Sequence, residues 1–388
     1  MTPAVAPTAP MVPHDAWSGL AGWYRNIVAP CTEAPEVFHL ASFIAAVGCL
    51  IGRKAWVCSP HPVYPNFYCL LIGRTATARK TTAYQFALNL CEETASLLDD
   101  TRLRRLTGLA SVEGLATAML DPDGKEPFRI LAVEDEFRSL VTKAGQHAVA
   151  NLIPKLTELF NCRETFEVNT KKNRIEVLNP FLSMLAASTK EWFEQSLTQR
   201  DVAGGFLNRW LVFEGDADRL LPSPPAVNQQ AWEDLVLSVG SAIERGGGKY
   251  ELSPKAQEFY DAFYKRVRYE FASEATARSD VHALKLGLLY AVLAERGDHL
   301  IHADDIQSGA DVAVYCARVV EPLAEALDTS PKRRLEQRLI QRVGETPGLE
   351  KRDLYRGAHK SVGEVNSVLG PMVEAGIVVE KEGKYFLP

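Results

Sequence analysis

No two cysteines in this chain are spaced as a metal knuckle or a redox pair. The seven thiols, Cys31, Cys49, Cys58, Cys69, Cys91, Cys162 and Cys316, are scattered and odd in number. That pattern fits a reducing cytoplasm better than a disulfide scaffold. Long apolar runs are also missing. The longest stretch, 37–51, is interrupted by His39 and Ser42. It is too short to span a bilayer and reads as a buried helix, so no membrane partner is expected. The chain is not a polycation: its formal net charge is −6. Any nucleic-acid contact must therefore come from a local basic surface. The opening MTPAVAPTAPMVP has neither the basic start nor the apolar core of a secretory signal. Its Pro/Ala composition predicts a disordered leader over 1–14. No internal repeat is visible.

The 388 residues exceed one comfortable hydrophobic core, which points to a large domain and a smaller one. Residues 17–51 have a helical pattern, with Thr32 as an expected helix N-cap. FYCLLI at 67–72 is short and continuously apolar, as in a strand buried on both faces. It runs into the loop GRTATARKTT at 73–82, and 83–98 then has helical periodicity. Ser111 opens a further helix. The same kind of apolar strand returns at 128–133, 181–187 and 210–213, and 165–178 reads as a hairpin around a polar turn. Strands alternating with helices predict an α/β fold with a parallel sheet. After the Pro-rich break at 221–225 the pattern is helical to 327. The tail then reads as three helices and a β-hairpin, the order of a winged helix.

The loop after the first strand carries the first candidate chemistry. A phosphate cradle needs inward backbone N–H groups, a helix N-terminus, a lysine for the β- and γ-phosphates and a hydroxyl for magnesium. Lys80 and Thr81 supply the last two, with Gly73, Arg79 and Thr82 completing the loop. Arg79 stands where the usual pattern has glycine, and Gly73 lies one residue farther from the lysine than usual. The competing reading is a helix N-terminus with surface cations. RILAVEDE at 129–136 has the form of an apolar strand ending in paired acids. Asp135 is suited to the magnesium shell and Glu136 to polarising the attacking water; an alternative register uses Glu134 and Asp135. Thr189, after the third strand, is suited to sensing the γ-phosphate or to capping the next helix. Arg209, delivered by a Gly-Gly loop, is a candidate trans arginine finger, with Arg163, Arg200, Arg278 and Lys285 as competitors.

The tail carries the argument for DNA. Between Lys332 and Lys360 nine cations face four acids in a molecule that is negative overall. Such local excess drives phosphate binding. Arg352, Arg356, Lys360, Ser361 and Asn366 lie on or beside the helix expected to enter the major groove. Lys171 and Lys172 in the hairpin are a second candidate contact. A winged helix used for protein contacts, and a solvated turn at the hairpin, are the alternatives.

Taken with EVFHL at 36–40, SVEGL at 111–115, NPFL at 179–182 and GFLNR at 205–209, these motifs resemble a family of phage- and plasmid-borne P-loop ATPases, helicase-like and frequently found with primase–polymerase domains. The resemblance covers about residues 15–300. It implies a RecA- or AAA-like P-loop core, ATP and Mg²⁺ as ligands, a homo-oligomeric ring or filament (a hexamer among the options), and work on single-stranded or forked DNA of a mobile element. In such families Arg-Lys often replaces Gly-Lys in the phosphate loop. Priming is expected of a separate chain. The expected organisation is an N-terminal helical region at 15–66, the ATPase core at 67–222, a helical subdomain at 226–328 and a winged-helix DNA-binding domain at 332–388. An ATP-dependent initiator, loader or regulator that does not unwind DNA is the alternative function, and a degenerate nucleotide-binding module is the third.

Overall fold

The computed structural model describes residues 13–387 apart from 125, 145–150, 170–173, 198, 272, 328–330, 359–360, 375 and 382. The chain divides into two compact units, residues 1–324 and 325–388. In the first, α1 (Gly19–Val28) and α2 (Glu36–Ile51) precede β1 (Ala55–Cys58) and β2 (Pro62–Val63). Next come β3 (Tyr68–Ile72), α3 (Lys80–Leu97), β4 (Leu103–Thr107), α4 (Val112–Met119), β5 (Arg129–Glu134), α5 (Phe137–Ala144) and α6 (Leu152–Leu159). The hairpin β6 (Thr165–Asn169) and β7 (Arg174–Leu178) leads to β8 (Leu182–Ser188), α7 (Lys190–Ser196), α8 (Gln199–Ala203) and β9 (Trp210–Glu214). Then follow α9 (Gln229–Arg245), β10 (Gly248–Leu252), α10 (Pro254–Glu270), α11 (Ser279–Leu293), β11 (Leu300–Ile301) and α12 (Ala303–Leu327).

The fold is α/β. Its central sheet has five strands in the order β4-β5-β8-β3-β9, all parallel. Parallel neighbours need crossover connections, and the helices that supply them cover the sheet. This is why β3 and β8 are buried along their whole length and read as unbroken apolar runs. The edge strand β4 is different: it is partly exposed and carries Arg102-side cations Arg104 and Arg105, which discourage pairing with another chain. The register sets Ile72 beside Ser188 and Glu214, and Glu134 beside Ala186. β3, β8 and β9 therefore end level, and β5 ends beside Ala186, just short of them.

Helix α2 is apolar all round, and every residue from Phe38 to Ile51 is buried. A helix of that kind belongs inside a protein. It packs on α3 and lies across β3, β8 and β9. Gly48 is needed there: a Cβ would sit 2.3 Å from the Pro65 carbonyl oxygen and 2.6 Å from the Phe67 ring. The N-cap of α2 is Pro35, not Thr32. The Thr32 hydroxyl instead accepts the Ala34 N–H at 3.0 Å, closing a turn ahead of the helix.

Two segments expected to be purely helical contribute strands. β1 pairs in parallel with β10, β10 with β11, and β1 antiparallel with β2. The small sheet β11-β10-β1-β2 thus joins residues from 15–66 and 226–328 within the first unit. Strands of two to five residues are too short to show a period, which is why the sequence pattern passed over them.

The second unit contains α13 (Pro331–Glu345), β12 (Leu349–Glu350), α14 (Lys351–Ala358), α15 (Val362–Glu374), β13 (Val379–Lys381) and β14 (Lys384–Phe386). Its strands form an antiparallel sheet in the order β12-β14-β13. Leu339, Val343, Leu354, Val365, Leu369 and Tyr385 are among the residues of its own core. Helix α15 opens on a reciprocal cap: the Ser361 hydroxyl accepts the Glu364 N–H, and the Glu364 carboxylate accepts the Ser361 N–H.

Leu70, at the middle of β3, has no exposed surface. Leu70→Ala should cost about 2–5 kcal/mol through lost burial and the cavity left behind. Leu220→Ala, at a side chain 89% exposed, should stay within about 0.5 kcal/mol of wild type. Denaturant midpoints at equal m-values make the comparison, and similar shifts for the two variants would contradict this account of the core.

Candidate functional site

Helix α3 begins at Lys80, with Arg79 as its N-cap. Arginine offers no oxygen to the first turn, and no side-chain cap is made there. At α4, α7, α9 and α10 a Ser, Thr or Asn oxygen accepts a first-turn N–H. The first N–H groups of α3 thus point out of the helix without a cap, at its positive end. Such an N-terminus is suited to an anion. Arg79 takes up a left-handed backbone with φ of 48°. That conformation costs a non-glycine residue on the order of 1 kcal/mol or more. It explains why glycine is usual before the lysine.

The loop is braced from outside. The Arg79 guanidinium pairs with Glu33 at 2.9 Å, and Glu33 also accepts the Leu221 N–H at 2.7 Å. That N–H and the Arg79 guanidinium hold the Glu33 carboxyl below the usual carboxylate range. Arg74 donates its backbone N–H and its Nε to Asp216 at 3.0 and 3.1 Å. Gly73 backs the loop and does not line the cleft. A Cβ there would meet the Gly215 carbonyl oxygen at 2.4 Å and Ala78 at 2.8 Å, so close packing requires the glycine. Lys80 is held differently from the arginines. Its Nζ donates to the carbonyl oxygens of Gly73 at 2.6 Å and Arg74 at 3.0 Å, and makes no ion pair among the described residues. Partial burial pulls its ammonium below the ordinary lysine value, with Asp216 acting in the opposite direction.

These residues line one cleft of about 370 Å³ at the carboxyl ends of β3, β5 and β8. Arg79, Lys80, Thr81 and Thr82 stand on one side and Asp135, Glu136, Ser188 and Thr189 on the other. In open α/β sheets ligands bind outside the carboxyl ends of the strands. Asp135 and Glu136 are exposed to the cleft, whereas Glu134 is buried and accepts the Leu109 N–H. Of the two possible registers, Asp135 and Glu136 are thus the acids that line the cleft, and Glu134 is not. Thr189 lines the cleft and also caps α7, its hydroxyl accepting the Trp192 N–H at 3.2 Å.

No family model matches the chain, and no curated protein matches it. What the cleft can do is read from its own atoms.

Two residues at the cleft were not singled out from sequence. The Tyr84 hydroxyl donates to the Asp135 carboxylate and fixes its direction. Tyr84 sits four residues after Lys80, on the same helix face, so helical spacing alone pointed to it. Trp192 lines the cleft from the first turn of α7.

Arg209 is a correction. It precedes Trp210, which lies beside Tyr68 at the amino end of β3, so it sits at the edge of the sheet opposite the cleft. Only 7% of it is exposed. Its Nε donates to the Thr157 carbonyl at 3.1 Å and its Nη1 to Gly205 and Asn208. A side chain bound in this way clamps the α6 end to the Gly205 loop and cannot act as a finger. Arg163, Arg278 and Lys285 lie around a cavity at the same opposite edge. Lys285 is buried, its Nζ donating to Asn66 Oδ1 at 2.6 Å and to the Asn66 and Phe160 carbonyls at 3.2 Å. Arg200 lies on α8 with its side chain outside the described residues.

The candidate DNA contacts are distributed as follows. Lys171, Lys172 and Lys360 lie outside the described residues, and so does the side chain of Arg356. Arg352 is exposed on α14. Asn366 is exposed on α15 and accepts the Tyr355 hydroxyl at 2.9 Å. Ser361 is exposed at the start of α15, and its hydroxyl is engaged in the cap of that helix.

Two outcomes follow. Arg209→Ala leaves buried carbonyls unpaired and should lower stability by about 2–4 kcal/mol; a trans finger would instead lose turnover at unchanged melting temperature. Burial pulls Lys285 down to about 7. The unfolded chain then binds more protons above that pH, so this lysine makes stability rise from about pH 7 towards its unfolded value near 10.5. Chemical denaturation at pH 7 and pH 9.5 should show a smaller rise, or a larger fall, in Lys285→Met than in wild type. Parallel pH slopes would refute the burial of a proton-binding group at this position.

Proposed function

We propose that the first unit is a P-loop ATPase of the RecA/AAA-like kind and that the protein uses ATP hydrolysis to act on DNA. One observation carries the reading. Lys80, Thr81, Asp135, Glu136 and Thr189, which are widely separated in sequence, come together in a single cleft at the carboxyl ends of three adjacent parallel strands. The donor set fits a magnesium nucleotide. The α3 N-terminus offers N–H groups to phosphate oxygens. Lys80, tied among the described residues only to loop carbonyls, can exchange them for a stronger phosphate partner. Magnesium held by Thr81, Asp135 and the nucleotide's own phosphates needs no large cluster of protein ligands. When bound it neutralises charge that develops on the phosphates. Asp135 is orientated for this by Tyr84. Glu136, in the same cleft, would orient and deprotonate a water, and Thr189 would fix its position.

The DNA half of the proposal rests on the second unit, which we read as a winged helix. Its three helices and antiparallel sheet follow the order of that motif. Its first helices carry the local positive excess. Arg352 and Asn366 are exposed on α14 and α15. An oligomeric helicase or translocase, working on single-stranded or forked DNA with priming on another chain, uses all of these parts. An initiator or loader that binds a duplex site without unwinding it is the second reading, favoured by the compact unit with its own core.

ATPase assays with and without single-stranded DNA should show turnover that rises with DNA. Lys80→Ala and Glu136→Gln should each lower it by about a hundredfold or more, with Glu136→Gln retaining nucleotide binding. Slow turnover indifferent to single strands, together with tight binding to one duplex site, selects the second reading. Absence of Mg-nucleotide binding in wild type would remove the motor altogether.

A further inference from the structure

The largest cavity described, about 1000 Å³, is separate from the nucleotide cleft and lies at the amino ends of the central strands. It opens between the β1–β2 turn, the end of α6, the loop before β8 and the start of α11. Arg53, Arg163, Arg278 and Lys285 line it, with Glu164 as the one acid among the described lining residues. None of the four cations forms an ion pair among the described residues. Arg53 reaches the carbonyls of Cys162 and Pro180 at 2.9 and 3.3 Å, and the Tyr64 hydroxyl at 3.2 Å. Arg163 and Arg278 hold no protein acceptor at all among the described residues. Asp280, the acid whose charge acts on Arg278, is already paired with Arg268 at 3.4 Å. Cys162 and Asn179, both on the cavity wall, adopt left-handed backbones with φ of 45° and 52°.

This arrangement is costly. Uncompensated cations in a partly buried wall repel one another and lose hydration. Burial and the neighbouring guanidiniums depress Lys285, and burial depresses Arg278. Capping the end of α6 explains Arg53 and Lys285, but it leaves Arg163 and Arg278 unexplained. A local rule broken without structural gain is expected where a ligand completes the site. The ligand must carry concentrated negative charge. It must also enter a recess: Lys285 is 3% exposed and Arg278 is half-buried, out of reach of a duplex backbone. The volume suits a molecule of nucleotide size.

We propose that this cavity is a second anion site, taking the phosphate groups of a small phosphorylated ligand such as a nucleoside mono- or diphosphate, with Arg278 and Arg163 as its direct contacts. It is independent of the ATPase assignment, because no residue is shared with the nucleotide cleft.

Equilibrium dialysis of the full chain against radiolabelled pyrophosphate, with Mg-ADP saturating the other cleft, tests it. One further site per chain is expected. Its affinity should fall about tenfold or more in Arg278→Gln and measurably in Arg163→Gln, recover in part in Arg278→Lys, and stay unchanged in Lys80→Ala. Competition by AMP but not adenosine identifies a nucleotide phosphate; competition by orthophosphate alone identifies free phosphate as the source. Arg163 is exposed, so its variant keeps the fold and remains informative if Arg278→Gln unfolds. No second site, or one that neither Arg163→Gln nor Arg278→Gln weakens, overturns the proposal. Displacement by a short oligothymidylate overturns it in favour of strand binding. Loss of the Lys80-dependent site alone would touch only the ATPase reading.

Discussion

The parallel register of β3 between β8 and β9 is the constraint on which the rest depends. It places Ile72, Ser188 and Glu214 side by side, and β5 joins β8 with Glu134 beside Ala186. The segments that leave these strands, at 73–82, 135–136 and 189, therefore emerge at one edge of the sheet. A slip of one residue would turn the buried side chains of β3 to the opposite face and separate the loops. The wholly buried strands and α2 make such a slip prohibitive. Rigid packing beneath the edge lets a loop with a strained residue at Arg79 keep its shape.

Within that edge, neighbouring cations are treated unequally. Arg74 and Arg79 have carboxylate partners in Asp216 and Glu33, on segments flanking the loop. Among the described residues Lys80 has only carbonyls. A carboxylate on Lys80 would compete with a phosphate at full charge, whereas a carbonyl yields to it. The two arginines fasten the loop, and the lysine is left available. The same division holds among the acids. Glu134 is buried on a backbone N–H, while Asp135 and Glu136 face the cleft.

The parts of the fold legible in sequence are those whose burial is complete. β3, β5, β8 and β9 announce themselves because crossover helices cover the sheet and leave no polar alternation. β4 escaped because an edge strand mixes exposed cations with half-buried leucines, and β1, β2, β10, β11 and β12 because they are too short to repeat. The cleft was legible since strand-ending motifs in parallel order must meet at one edge. Arg209 misled for a specific reason. Its partners are the carbonyls of Thr157 and Gly205, and carbonyl oxygens leave no trace in a sequence. A glycine loop delivering an arginine looks the same whether the side chain points outward or folds back on its own backbone. Tyr84 was missed because a tyrosine on a buried helix face reads as core until its hydroxyl is seen on Asp135.

The two edges of the central sheet differ in charge, and helix direction offers a common cause. At the carboxyl edge α3 begins, and its positive end favours anions. At the amino edge α6 ends, and its terminal carbonyls favour cations. Arg209 takes the Thr157 carbonyl, Lys285 that of Phe160 and Arg53 that of Cys162, just beyond the helix. A helix terminus carries only about half a charge, so two full guanidinium charges and the partly protonated Lys285 over-compensate it. The excess remains on the cavity wall, where Arg163 and Arg278 add to it. Positive potential at the amino edge is thus a by-product of fastening α6, enlarged by two arginines whose side chains hold no acceptor among the described residues. Those two separate a site from a cap: a helix end alone requires one cation or two, and a ligand accounts for the others.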